Sequence, residues 1–237
     1  MKQNLLLLAF LLPALAFAQN VHTVKKKLSH SLIERYSALE NNKKVKHGIY
    51  EVINDNNKVL VRGNYNNGAK EGVWDFFSDN GQLIQKYDFT KGILVHYAED
   101  SLSIVKSSYE LFNKPGKEDT IDIPYKIGGD IYQLNLLYSQ KNIPQDIISD
   151  KLNVVMTYIL TISEKGKLED WKVLYKGEQY DKTVQESIKN LPADAYEFSP
   201  ALVNNVPVKS KLIYSVNLNY DQVTVPGNNN IMKHRSN

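Results

Sequence analysis

Cysteine is absent from this 237-residue chain, and its absence closes several routes at once. Without a thiol there is no disulfide framework, no thiolate zinc or iron–sulfur site and no cysteine nucleophile. A lipid-modified N-terminal cysteine is excluded as well. An excess of one charge is also missing. The 29 basic and 26 acidic residues leave a formal +3, too balanced for a nucleic-acid footprint. Glycine and proline are sparse, with 12 and 8 copies, and no proline-rich or low-complexity stretch occurs. What is present is a 42% apolar fraction, enough for a packed core, and 15 tyrosines against 7 phenylalanines and 2 tryptophans. That tyrosine-heavy set favours strands.

The one long apolar run lies at the N-terminus. Lys2 precedes Leu5 to Leu15, and Ala16-Phe17-Ala18 puts small residues at both cleavage-determining positions. The segment from Leu5 to Ala18 has 14 residues, short of the roughly 20 needed to span a bilayer. Residues 1–18 are therefore expected to be a signal peptide, cut between Ala18 and Gln19. An uncleaved membrane anchor is the alternative.

The middle of the chain repeats. Gly48-Ile-Tyr-Glu-Val-Ile-Asn-Asp-Asn-Asn-Lys-Val-Leu aligns with Gly72-Val-Trp-Asp-Phe-Phe-Ser-Asp-Asn-Gly-Gln-Leu-Ile at an offset of 24, and Tyr65 continues to Phe89. Each unit predicts a β-hairpin, with Asp55-Asn56-Asn57 and Asp79-Asn80-Gly81 as its turns. Tyr50 and Trp74 should occupy equivalent places, and such units bury an apolar face only by stacking. Ile33 to Leu39 and Gly92 onwards look like degenerate units at either end. The four aromatics Tyr50, Tyr65, Trp74 and Phe89 are expected as hairpin core, with a surface platform for a partner as the other reading. This pattern resembles MORN-type repeats of the antitoxin-like variant, over Gly48 to Leu94, a resemblance that implies architecture more than activity.

A boundary is expected near Pro115 to Asp119, after strand-like pieces in Ser103 to Phe112. Beyond it, Asp130 is placed as the N-cap of a helix from Ile131 to about Gln140. Val154 to Ile162 reads as a strand, Ser163 to Gly166 as a turn, and Leu168 to Tyr175 as the returning strand with Leu168 and Trp171 on opposite faces. Tyr180, Val184, Ile188 and Leu191 suggest a second helix over Tyr180 to Leu191, and Leu212 to Leu218 the last strand. Residues 221–237 are expected to be a disordered tail. Gly128-Gly129-Asp130, Asn142-Ile143-Pro144, Ile162 to Leu168, Phe198-Ser-Pro200-Ala201 and Asn205-Val206-Pro207-Val208 together resemble the C-terminal domain of TonB-type energy transducers. Two positions depart from that pattern: Ile143 replaces a tyrosine, and Asn204-Asn205 a glycine.

The fold class so implied is α+β. It comprises an N-terminal segment (19–47), a β-hairpin repeat domain (48–112), a linker (113–127) and a TonB-like domain (128–220) with a three-stranded antiparallel sheet and helices. The resemblance also implies a last strand at the sheet edge, where a partner segment adds through backbone hydrogen bonds. Leu212, Tyr214, Val216 and Leu218 are the partner-binding candidates on that strand. No catalytic or metal constellation is found. His22, His30, His47, His96 and His234 are scattered, and no nucleophile or phosphate-loop motif occurs. Glu169 and Asp170 are neighbours on a strand and should face opposite ways. The expectation is a non-catalytic exported envelope protein of Gram-negative type, without cofactor, nucleic acid or small-molecule substrate, that binds other envelope proteins. A membrane-anchored TonB-type transducer is the alternative.

Overall fold

The repeat is visible in the backbone hydrogen bonds. Asn57 N–H donates to the Asn54 carbonyl at 2.9 Å and Asn54 N–H to Lys58 at 3.0 Å; 24 residues on, Gly81 donates to Ser78 and Ser78 to Gln82, both at 2.9 Å. Asn57 (φ 58°) and Gly81 (φ 86°) both take the left-handed conformation such a turn requires. The computed structural model describes residues 21–99, 105–138 and 143–218. The signal-peptide residues Ala18 and Gln19 and the tail 221–237 lie outside them.

The two hairpins do not stand alone. They are the middle of one antiparallel meander of seven strands in sequence order: β1 (Val21–Lys27), β2 (Leu32–Leu39), β3 (Asn42–Asn54), β4 (Val59–Asn66), β5 (Ala69–Phe77), β6 (Leu83–Asp88) and β7 (Ile93–Tyr97). The units join edge to edge, so Tyr50 and Trp74 do become equivalent. Both are buried, their ring centroids 5.2 Å apart. Tyr65 meets both rings at 5.2 Å, and Phe89 meets Trp74 at the same distance. The column needs Gly63, where a Cβ would fall 2.1 Å from the Trp74 ring.

The remaining strands are β8 (Lys106–Leu111), β9 (Ile121–Asp122), β10 (Tyr125–Lys126), β11 (Val154–Ile162), β12 (Leu168–Lys176), β13 (Asp181–Glu186), β14 (Phe198–Ser199), β15 (Ala201–Val203), β16 (Val206–Val208) and β17 (Ser210–Leu218). A five-stranded sheet has the order β13-β12-β11-β17-β8, and small sheets pair β10 with β14 and β16-β15 with β9. The expected α+β class is thus corrected: the described chain is mainly β. Its only helices are α1 (Asp130–Tyr138), α2 (Gln145–Ser149) and a 3-10 turn at Ala193–Tyr196. A three-stranded, helix-backed TonB-like domain is not what the C-terminal half forms.

The helix expected over Tyr180 to Leu191 is the largest departure. Residues 180, 184 and 188 are four apart, and four is both close to one helical turn of about 3.6 residues and twice the strand period of two. The spacing could not choose between them. The open backbone of β12 does choose: Trp171 to Lys176 pair with Asp181 to Glu186. A second departure has a bulge as its cause. Thr161 faces Asp170 but Ile162 faces Leu168, so Glu169 is an extra residue and Leu168 and Trp171 both turn inward. Glu169 and Asp170 are then both exposed, and they bind different partners, Lys209 at 2.6 Å and Gln185 at 2.6 Å.

One apolar core runs through both large sheets. Tyr50, Val52, Trp74 and Phe76 supply the meander's share, and Tyr132, Leu136, Tyr158, Trp171 and Tyr214 that of the C-terminal half. Each fully buried large side chain contributes about 1.5–3 kcal/mol over leaving it in water.

Candidate interaction site

The edge expected at the last strand is occupied. β17 lies between β11 and β8, and Ser210 to Ser215 pair with Leu111 to Lys106. Leu212, Tyr214 and Leu218 are buried, and Val216 is half-buried against the core. These four residues hold the sheet together and do not face a free edge over the part that β8 covers. The covering strand falls within Ser103 to Phe112, which reads as strand-like in the sequence but carries no sign of its partner.

The strongest electrostatic cluster joins the two halves and was missed. The 24-residue offset aligns Lys46 with Lys70, a signal present in the repeat. Lys46 donates to Glu34 at 2.6 Å and lies 4.5 Å from the Tyr50 ring. Lys70 lies 4.5 Å from Phe89 and 4.9 Å from Trp74, but its carboxylates come from the other half, Asp194 at 2.8 Å and Glu197. Tyr132 donates to the second Asp194 oxygen at 2.7 Å. Burial opposes charge on Asp194, yet Lys70 and Tyr132 hold its carboxyl down at about 2. Burial likewise works against Lys70, and Asp194 and Glu197 outweigh it, raising the ammonium above the ordinary lysine value. Buried pairs of this kind survive only when fully satisfied.

A second link is polar and backbone-directed. The Gln85 carboxamide donates to the Lys126 carbonyl at 3.2 Å and accepts from Gly128 N–H at 2.5 Å. Gly128 (φ 106°) and Gly129 (φ 86°) are held against Phe76, Tyr132 and Ile84 so closely that a Cβ would approach to 2.8–3.0 Å. This explains the Gly-Gly-Asp sequence: Asp130 opens α1, and the glycines let the turn lie flat on the meander. Lys126 is fully buried. Burial pulls its ammonium down to about 7, and it donates to the Asp194 and Glu197 carbonyls at 2.6 and 2.7 Å. A perturbed lysine can mark an active site; here it pins the 3-10 turn.

Among the described residues, β7 is an outer strand with no strand paired beyond it. All five of its residues are exposed, including Ile93, Leu94, Val95 and Tyr97 at 61%. The other outer strands of the two large sheets carry charge: Lys25 to Lys27 on β1, Lys106 and Glu110 on β8, and Asp181, Lys182 and Glu186 on β13. Such charges discourage edge pairing, and β7 has none. Ala98 N–H donates inward to Ile84 at 2.8 Å, so by strand alternation the Tyr97 N–H and carbonyl point outward. Val95 is a bulge, since His96 faces Lys86 and Leu94 faces Tyr87; the usable edge is the stretch after it. There β7 meets a groove of about 610 Å³ between the two halves, lined by Tyr97, Glu99, Tyr109, Ile123, Tyr125 and Asp130 among others.

Among the described residues no group of histidines and carboxylates could hold a metal ion, and no helix is long and apolar enough to cross a membrane. No family model, no curated protein and no solved structure matches this chain.

Proposed function

We propose that this is an exported, non-catalytic protein of a Gram-negative-type envelope that works by protein–protein contact, accepting an extended segment of a partner as an added strand at β7. The observation that carries this is the fully exposed edge of β7, without a charged residue over Ile93–Tyr97, ending in a groove between the two halves. Strand addition draws its affinity from main-chain hydrogen bonds and its selectivity from pockets beside the strand. β7 offers the outward backbone of Tyr97, and the groove offers the pocket.

Export rests on the Ala16-Phe17-Ala18 pattern. The absence of catalysis rests on the use made of the charged cluster. Lys126, Tyr132 and Asp194 are buried, Lys70 is half-buried, and all four are bonded to one another or to backbone, so these charged groups are already committed.

The test is site-specific photo-cross-linking in the full chain, expressed with its own leader in a Gram-negative host. A benzoylphenylalanine at Tyr97 should give a discrete protein adduct, and one at Val24 on β1 should give none. Adducts from Val24 alone would move the binding surface to the opposite edge.

A further inference from the structure

Resting on the reading of β7 as a strand acceptor, the charge of the groove narrows the occupant. The charged residues lining it are Glu99, Asp130 and Lys126. The Lys126 ammonium is committed to the Asp194 and Glu197 carbonyls, so it offers nothing to a ligand. Glu99 is exposed just beyond β7, and Asp130 is half-buried at the start of α1, where burial raises its carboxyl and the Tyr214 and Ser107 hydroxyls bond to it, so Glu99 is the freer of the two carboxylates. Tyr97, Tyr109 and Tyr125 stand around them. Glu99, Asp130 and Tyr97 all line the one groove. Two carboxylates beside exposed aromatic faces form a seat for a cation: the carboxylates pair with it and the rings attract it.

We propose that the segment added at β7 carries a basic side chain, an arginine or lysine, placed in the groove between Glu99 and Asp130 against Tyr97. The backbone of Tyr97 aligns the segment, and the groove then discriminates by charge. An acidic residue at the same position meets two carboxylates and is rejected. A planar guanidinium fits better than an ammonium, because it pairs with a carboxylate through two donors and stacks on a ring.

The experiment measures fluorescence anisotropy of the full mature chain with labelled nine-residue peptides of alternating threonine and valine, with arginine, glutamate or glutamine at the centre. The arginine peptide should bind at least tenfold more tightly than the glutamate peptide, with glutamine between. Glu99→Gln should cut the arginine-to-glutamate ratio at least threefold, and Asp130→Asn should cut it similarly. Glu99 is exposed, so its variant leaves the core untouched and stands as a test even if the Asp130 variant folds poorly. Tyr97→Pro removes the outward N–H and should abolish binding, whereas Tyr97→Ala keeps the N–H and should only weaken it.

Equal binding of all three peptides would leave strand addition standing and overturn the basic occupant. If no peptide binds, and Tyr97 gives no adduct in the cross-linking test either, the acceptor reading itself falls. A concentration-dependent dimer that Tyr97→Pro dissolves would assign the edge to a second copy. Amides of β7 that are protected in the free chain and released on deleting residues 219–237 would assign it to the chain's own C-terminus. Either result overturns the proposal.

Discussion

Lys70 occupies the place that Lys46 holds one repeat earlier, with the same aromatic surroundings but different carboxylates. Lys46 is answered within the meander by Glu34, and Lys70 across the interface by Asp194 and Glu197. That exchange turns a repeat position into a clamp between the two halves. Because the folded Asp194 carboxyl lies near 2, below its unfolded value, its contribution is present above about pH 4 and is lost as pH falls through about 2. Asp194→Asn should therefore cost on the order of 2 kcal/mol or more at pH 7. The difference from wild type should shrink towards zero at pH 2. Urea denaturation of both proteins at the two pH values checks this. Gly63→Ala tests the aromatic column: a methyl 2.1 Å from the Trp74 ring must displace it. We expect a loss of about 1–3 kcal/mol and a shifted tryptophan emission.

At the scale of elements, legibility followed local chemistry. The hairpin turns at Asn57 and Gly81, the turn at Gly166 and the strands β11, β12 and β17 could be read because each announces itself through turn residues or alternation. α1 was also visible, with Asp130 in its first turn rather than as its cap. β13 was not, since its spacing of four fits both periods and only the open backbone of β12 decides. The bulge at Glu169 was hidden because an inserted residue has no sequence signature of its own. The candidate site failed for a related reason: whether a strand is an edge depends on what pairs beside it, and β8 approaches β17 from about 100 residues away in sequence. The Gly128-Gly129-Asp130 signature was seen, but its use was not. Its partner, Gln85, is a single polar residue inside a strand. Gln85→Leu should remove both carboxamide bonds and leave the Gly128 N–H buried without that acceptor, costing about 1–3 kcal/mol, while the Lys126 carbonyl keeps its bond from Gly129 N–H. A fall in melting temperature without loss of the far-ultraviolet β spectrum would be the expected result.

For the whole molecule, the account joins an N-terminal meander and a second β-sheet through one core, a charged clamp and a glutamine link. β7 is left as an exposed outer strand whose end meets the groove between them. The N-terminal leader belongs to this scale too. Mass spectrometry of exported protein should find Gln19 as the first residue, and retention of Met1 would favour an anchored protein. The central claim, that β7 is an acceptor edge, is tested most directly by amide hydrogen exchange across Ile93 to Glu99 in the full mature chain, with and without the arginine peptide. The account predicts fast exchange of the Tyr97 amide in the free chain and slow exchange when the peptide is bound, with the Ala98 amide protected in both. A Tyr97 amide that exchanges equally fast with peptide bound, or protection that appears instead on β1 or β13, would contradict it.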